Sequence, residues 1–525
     1  LEKSVFWADK IAEDIIKTRE KKHLIATGIT PSGPIHLGNI REVLTADAVK
    51  RSLDDRGAET ELIYIADTAD PLRKVYPFLP REYEKYVGMP LYRIPCPDGC
   101  CENYADHFLK PFLEACEKLG VHLKAYKAHE LYKEGRFIGV IKEALENRDR
   151  LAEIIKSQTG RELPKDWVPF NIECDKCKKT TEIKITDAEF FVEKEGLNYK
   201  CSCGSEGTSL FSDGTGKLPW RIDWPARWKV LGVTAEPFGK DHATAGGSYD
   251  TGSMISEKVF NYKPPYPILY EWIYWKGKGA MASSTGVAIS IQDMLEIIPP
   301  EIVRFLILRV RPEKHIDFDP EGGLLKLFED YQQLEDNYFE AKDELEPYEA
   351  RAYEMSQVNI KALRTVSLKI PFLHVVIAAQ IAQHNFKKAI EVLERSGYEI
   401  NTSDENALKD YLKYADNWLT TFAPDVFKFE VQDKLPQEVE NLPEEAKAFL
   451  KQLAEHFERI NWDAEAVHNS IHEIGQDFGL SARKSFQAVY VCILGKKSGP
   501  RAGWFITSLD RDFVIGRLRE ASGDS

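Results

Sequence analysis

Residues 30–39 read TPSGPIHLGN and set Pro31, Gly33, Pro34 and Gly38 around one histidine, His36. Before them, residues 23–27 (HLIAT) form a short apolar run that predicts a strand. After them, IREVLTADAVKRSL carries Val43, Leu44, Ala48, Val49 and Leu53 close to helical spacing. A second apolar run, LIYI at 62–65, predicts the next strand. Strand, helix and strand over this length make a right-handed crossover unit. A glycine-rich turn at the start of a helix lets backbone approach a phosphate, and the helix N-terminus adds free N–H groups and a dipole. Gly33 and Gly38 alone would serve any tight turn equally well. His36 adds an imidazole able to donate to charge that develops on a phosphate in a transition state.

Working outward, the 525 residues are enough for two to four domains. Runs at 230–234 (VLGVT) and 267–275 (PILYEWIYW) predict later strands, so the sheet is split in sequence. The expected order is a first half of a Rossmann-like domain at 1–95, an insertion at 96–205, the second half at 206–320, and a helical domain at 321–525. In that last part Phe328, Tyr331, Leu334 and Tyr338 recur every three or four residues, a stripe that predicts core. No run approaches the roughly 20 apolar residues of a membrane span. The first 22 residues carry an acid-and-base helix pattern without a signal-peptide core, so no membrane partner and a cytoplasmic location are expected. The net charge of −14 excludes nucleic-acid binding through bulk positive charge. Local patches still supply phosphate contacts, and Arg483, Lys484, Lys496, Lys497 and Arg501 form one candidate.

Seven of the nine cysteines fall in two clusters, which in a chain of this kind favours metal over disulfide. Cys174-x2-Cys177 and Cys201-x-Cys203 supply four thiolates on two knuckle-like turns, the donor set of structural zinc. Cys96, Cys100, Cys101 and His107 offer a second tetrahedron, with Asp98 as a substitute ligand. Both would staple a module too small for a large core of its own.

Residues 36–39, HLGN, resemble the HIGH signature of class I aminoacyl-tRNA synthetases. The resemblance implies an ATP site in which Ser32 and Gly33 lie by the adenylate, His36 and Asn39 stabilise the phosphates, and Gly38 leaves room for adenine. Residues 276–286, KGKGAMASSTG, stand where that class carries its KMSKS loop. Met281, Ser283, Ser284 and Gly286 match a KMSSSKG variant, whereas Ala280, Ala282 and Thr285 depart from it. The usual lysines are missing, with Lys276 and Lys278 just upstream. FGKDH at 238–242 is similar to the class I turn whose acid binds the ATP ribose, which gives that role to Asp241; capping of the next helix is the alternative.

IADTADPLRKV (65–75), PWRIDWPARW (219–228) and the helical C-terminal third together resemble class I lysyl-tRNA synthetase, the form typical of archaea. The implied reaction joins L-lysine to tRNA(Lys) through lysyl-adenylate, with ATP and magnesium, one or two structural zinc ions and a helical anticodon-binding domain. The insertion would meet the acceptor end. Glutamyl and glutaminyl enzymes of the class are the competing reading. A glutamyl enzyme places an arginine before its PSPTG stretch, and LIATGITPSG here has none. Gly28, Thr30, Trp220, His242 and Tyr270 are the implied lysine pocket. Trp220, Tyr270 and Trp272 could face an ammonium with aromatic rings, and Asp67, Asp70 or Asp223 could pair with it. The altered serine loop also leaves a non-catalytic tRNA-binding descendant open.

Overall fold

The computed structural model describes residues 5–19, 22–187, 195–281, 288–363, 368–402 and 404–523. They form two compact units: Leu1–Leu295 with Pro299–Phe318 and Ala341–Leu363, and Glu296–Ile298 with Asp319–Glu340 and Arg364–Ser525.

In the first unit, strand Lys22–Ile29 (β1) leads through the glycine turn into helix Leu37–Asp54 (α1) and strand Glu59–Ala66 (β2). β1 and β2 pair in parallel from Lys22↔Glu59 to Ile29↔Ala66, so the link between them must cross over, and α1 does so. Strand Lys124–Lys127 (β3), helix Trp220–Leu231 (α2), and strands Ala235–Gly239 (β4) and Tyr266–Tyr270 (β5) follow. The sheet runs β5-β4-β1-β2-β3 and every pair is parallel. This is the doubly wound, Rossmann-like order. Its ligands lie outside the carboxyl ends of the strands where the order reverses, here between β1 and β4.

Three sequence expectations change. β3 falls inside the segment read as an insertion, yet it pairs with β2 from Ile63↔Lys124 to Ala66↔Lys127, so 96–205 also carries an edge strand of the main sheet. The VLGVT run is not a strand. It is the end of α2, closed by Gly232 in the left-handed region (φ 79°), and β4 begins only at Ala235. A short apolar run fits either element, and periodicity alone does not separate them. PILYEWIYW breaks after Tyr270, where the Glu271 N–H donates to the Pro312 carbonyl. Its second half, Ile273–Trp275, joins Gly279–Ala280 and Ile316–Phe318 in a separate three-stranded sheet.

α1 sits at the centre of this unit, and its polar side chains are buried with its apolar ones. Arg41 donates to the carbonyls of Trp272, Pro312 and Lys314. Arg51 pairs with Asp47 at 2.8 Å and donates to the Gln357 and Gly120 carbonyls. Arg304 reaches Asp47 from another helix at 2.7 Å.

The second unit is helical, with no strand among its described residues. Phe328, Tyr331 and Tyr338 are buried and Leu334 is half-buried, and Phe328 stacks on Phe372 with ring centroids 3.8 Å apart, so three of the four stripe residues are core. Arg483 and Lys484 sit at the start of helix Ala482–Leu494, whereas Lys496 and Lys497 follow its end. A helix of 13 residues separates the two pairs by about 20 Å, so they do not make one compact patch. Among the described residues no helix is long and apolar enough to cross a membrane.

Candidate active site and metal centres

The site begins where β1 and β4 stop pairing. They share one register pair, Ile25↔Ala235, backed by hydrogen bonds between Leu24 and Thr234. Beyond it the Gly28 N–H turns instead to the Glu42 carboxylate of α1, at 2.9 Å. A cavity of about 610 Å³ lies at this end of the sheet. Gly28, Thr30, Ser32, Gly33, His36, Gly38, Asn39, Trp220, Asp241, His242, Tyr270 and Met281 all line it. Residues from five separated stretches of sequence thus meet in one place. Ser283 and Ser284 lie outside the described residues. Met281 lines the cavity, and Ile289 and Ser290 are stitched to the histidine turn: Leu37 N–H donates to Ile289 O at 3.0 Å, and His36 bridges Ser290.

His36 is the N-cap of α1. Its Nδ1 accepts from Gly38 N–H at 3.1 Å, while Asn39 Oδ1 accepts from His36 N–H at 3.2 Å. Burial pulls its pKa down to about 4. The ring is therefore neutral near pH 7. With Nδ1 accepting, Nε2 carries the hydrogen and is, among the described residues, a free donor. Gly38 has a reason other than the one expected. A Cβ there would come within 2.9 Å of the His36 ring, so the imidazole itself takes the room that glycine leaves. At Gly33 a Cβ would strike the Phe78 ring at 2.7 Å. Asp241, on the short turn Lys240–Ala243 after β4, stays half exposed with His242 Nε2 3.7 Å from its Oδ2. It does not cap helix Ser248–Lys258, whose N-cap is Gly247.

The acids sort by partner. Asp67 and Asp223 do not line the cavity; they are neutralised behind it. Lys217 Nζ lies 2.9 Å from Asp67 and 2.7 Å from Asp70, and Arg227 binds both Asp67 and Asp223. Burial works to raise the Asp67 pKa, but Arg227 and Lys217 outweigh it and hold it at about 2. Asp70 reaches the cavity wall and accepts from Thr30 Oγ1 at 3.0 Å. Glu42 differs from all three. It is buried, with no cation beside it among the described residues, and its only hydrogen bonds are from Gly28 N–H and Tyr270 OH, the latter at 2.7 Å. Burial pushes its pKa up to about 8 despite those two donors. Trp220 is 38% exposed at the cavity wall, backed by the stacked ring of Trp224.

Both cysteine clusters assemble. The Sγ atoms of Cys174 and Cys203 are 3.7 Å apart, and those of Cys177 and Cys201 are 3.6 Å apart. All four converge within 4.8 Å. A tetrahedron with Zn–S bonds of about 2.3 Å has edges of about 3.8 Å, so the four sulfurs stand at zinc spacing. In the other cluster Cys96 and Cys100 are 3.7 Å apart, with His107 Nδ1 at 3.6 and 3.2 Å from them. Cys101 does not join that group. Its sulfur is 3.6 Å from Cys100 but does not converge with the other donors, and Asp98 reaches only the outer nitrogen, His107 Nε2, at 3.7 Å.

Residues 5–359 match the family model described as tRNA synthetases class I (K), and residues 406–522 match an anticodon binding domain. The chain belongs to the class I (K) tRNA synthetases. It is 46% identical to a lysine--tRNA ligase of Methanosarcina barkeri over 99% of this chain and 98% of that one. The Archaeoglobus fulgidus lysine--tRNA ligase is 46% identical over 98% and 99%, and that of Methanocaldococcus jannaschii 45% over 97% and 99%. As a class I synthetase the chain is an aminoacyl-tRNA ligase with a parallel nucleotide-type sheet and a helical anticodon domain.

Within this synthetase frame, sequence reasoning missed Glu42 and Arg73, which both line the cavity. Glu42 falls off the apolar stripe of α1, and no spacing rule marks it. The available signal was an acid two turns into the helix that follows the signature turn. Arg73 stands in the quoted stretch IADTADPLRKV, in the loop after β2, a position where the fold places ligand contacts.

Proposed function

We propose that the chain is a lysine–tRNA ligase that activates L-lysine with ATP and transfers it to tRNA(Lys). The observation that carries the specificity is Glu42, a buried carboxylate that faces the cavity without a cation of its own. A lysine ammonium supplies one. Gly28, Thr30, Trp220, His242 and Tyr270 shape the pocket around the aliphatic stem, and the Tyr270 hydroxyl orients the Glu42 carboxylate. A glutamate side chain would bring a second carboxylate to the same wall.

In the first step a lysine carboxylate oxygen attacks the α-phosphorus of ATP, the bond to the bridging oxygen breaks, and pyrophosphate leaves. His36 Nε2–H donates to the oxygen charge that grows there. Asn39 holds the turn through the His36 N–H, and the α1 N-terminus adds its dipole. Ser32, Gly33, Gly38 and Met281 form the nucleotide wall, with Ser283 and Ser284 contributing from the loop beyond Met281. Asp241 accepts from the ribose hydroxyls. ATP brings magnesium on its phosphates. In the second step the terminal hydroxyl of the tRNA attacks the lysyl carbonyl and AMP leaves. The protein acts chiefly by positioning and by fixed donors.

Cys174, Cys177, Cys201 and Cys203 would hold one structural zinc. Cys96, Cys100 and His107 would hold a second. A closed four-ligand site ties two chain segments together without taking part in chemistry.

Charging of a tRNA(Lys) transcript with radiolabelled lysine, and with glutamate in parallel, tests the reading. Lysine incorporation that disappears in His36→Ala is expected. Charging with glutamate, or with neither amino acid, refutes it.

A further inference from the structure

Residues 220–228 of α2 read WRIDWPARW and repeat tryptophan at every fourth position, so Trp220, Trp224 and Trp228 run down one side of the helix. Their exposure falls from 38% at Trp220 to 4% at Trp224 and 1% at Trp228. The top ring lines the active-site cavity, and the other two are core. Trp220 stacks on Trp224 with centroids 5.3 Å apart and planes 12° apart, and Trp228 meets Trp224 edge-on at 5.2 Å. Glu236, the second residue of β4, reaches the lower two rings from the neighbouring strand. Its Oε1 accepts from the Trp224 indole N–H at 3.0 Å, and its Oε2 accepts from that of Trp228 at 2.6 Å. The carboxylate is buried and forms no ion pair among the described residues.

We propose that Glu236 is a positioning residue for the substrate side chain: by clamping the two lower indoles it fixes the tilt of Trp220, the ring against which the lysine stem packs. The proposal rests on the function proposed above and adds how that pocket wall is held. The Trp220 indole makes no hydrogen bond of its own among the described residues, so its neighbours set its tilt. The His242 ring is 6.3 Å away and the Arg227 guanidinium 5.7 Å, whereas Trp224 is stacked against it. Trp224 is in turn held by the edge-on ring of Phe238, also on β4, at 5.4 Å and by its tether to Glu236. Each carboxylate oxygen takes one indole, so the plane of one group fixes two rings relative to each other. An amide has a single acceptor oxygen and cannot do this. Phenylalanines would fill the same space with no polar atom to satisfy, so packing alone does not call for a buried carboxylate. The void between the ladder and β1 is about 20 Å³, lined by Gly28, Trp220, Trp224 and Glu236 among others, and has room for about one water but not for a ring. A Trp224 released from Glu236 therefore has no space toward β1, and its motion is passed to Trp220 at the cavity wall.

Glu236→Gln and Trp224→Phe test the clamp in steady-state aminoacylation of a tRNA(Lys) transcript, with lysine and ATP varied in turn. Glu236→Gln keeps the shape and leaves one indole without an acceptor. Trp224→Phe keeps a ring under Trp220 and removes its tether. Each should raise the KM for lysine by about tenfold through misplacement of the pocket wall. Each should leave kcat and the KM for ATP within about threefold of wild type. The second readout is a double-mutant cycle with Trp220→Ala. Acting through Trp220, Glu236→Gln should change the lysine KM by less than about twofold in that background. An unchanged lysine KM in both single variants overturns the proposal. So does an equal rise in the KM for ATP, or a Glu236→Gln effect of the same size with and without Trp220; either outcome leaves Glu236 a packing residue. Trp224→Phe keeps the test decisive if Glu236→Gln does not fold. A wild-type protein that charges tRNA with glutamate and not with lysine defeats the function proposed above, and the same cycle read on glutamate still judges the clamp. A wild-type protein that charges tRNA with neither defeats both.

Discussion

Glu42→Gln removes a charge and keeps a shape. The glutamine carbonyl can still accept from Gly28 N–H or from Tyr270 OH, the two donors now 2.9 and 2.7 Å from the carboxylate. The free protein should tolerate the change, since burial already holds Glu42 neutral below about pH 8. On the proposed function, what is lost is the partner of the lysine ammonium. Removing one member of a buried, hydrogen-bonded charge pair costs about 2–5 kcal/mol, which is roughly 30-fold or more in kcat/KM for lysine. The assay is steady-state aminoacylation with lysine varied at saturating ATP and tRNA. The KM for ATP serves as the control and should stay within about threefold.

The pH profile sharpens this test. An ammonium pairs with a carboxylate and not with a carboxylic acid. Below about pH 8, then, lysine binding must release the Glu42 proton. Lysine kcat/KM should rise about tenfold per pH unit up to that value and level off above it. In Glu42→Gln that rise should vanish. A lysine kcat/KM within about threefold of wild type, or a variant that keeps the full pH slope, would refute the assignment of Glu42 to the ammonium.

His36→Ala should lower kcat by about 100- to 1000-fold, the cost of one preorganised donor, with little change in the KM for lysine. Because the wild-type ring is neutral down to about pH 4, titration of His36 should not shape the rate between pH 6 and 8; an inflection near pH 6.5 that disappears in the variant would contradict this. Lys217→Met leaves the buried Asp67 and Asp223 with Arg227 as their one cation, takes the cation from Asp70, and should destabilise the first unit by about 3–5 kcal/mol, read as a lower urea midpoint; an unchanged midpoint would count against the network. Cys174→Ser should remove one equivalent of zinc by elemental analysis and loosen the 174–203 knuckles to protease, while Cys116→Ser, a buried thiol outside both clusters, should leave the metal content unchanged.

Much of this was legible before the fold, and the reason is local. The glycine turn, the capping histidine and the CxxC and CxC knuckles are short motifs whose chemistry is carried by neighbours in sequence. β1, α1 and β2 follow one another and pair as their patterns predict. What stayed hidden depended on distant partners. β3 has only four residues, Lys124–Lys127, two of them exposed, so it carries no apolar run to announce a strand. Asp67 and Asp223 read as candidate ligands because nothing in the sequence says that Lys217 and Arg227 fold over them. Arg41, Glu42, Asp47 and Arg51 break the amphipathic pattern of α1 because each has at least one partner more than 200 residues away.

On the function proposed above, that burial of α1 carries the specificity. His36 caps the helix and Glu42 lies six residues further along, about 9 Å by helical rise. The proposed phosphate donor and the proposed partner of the ammonium therefore ride on one rigid element. Arg41 ties it to the Trp272, Pro312 and Lys314 carbonyls and Arg51 ties it to Gln357 and Gly120, so sliding α1 along its axis breaks both sets at once. The distance from the reacting carboxylate to the far end of the substrate is then set by helix geometry and not by a flexible loop. A side chain too short to reach Glu42 leaves that acid protonated and unpaired. A side chain ending in a carboxylate meets an acid where its own counterion should be.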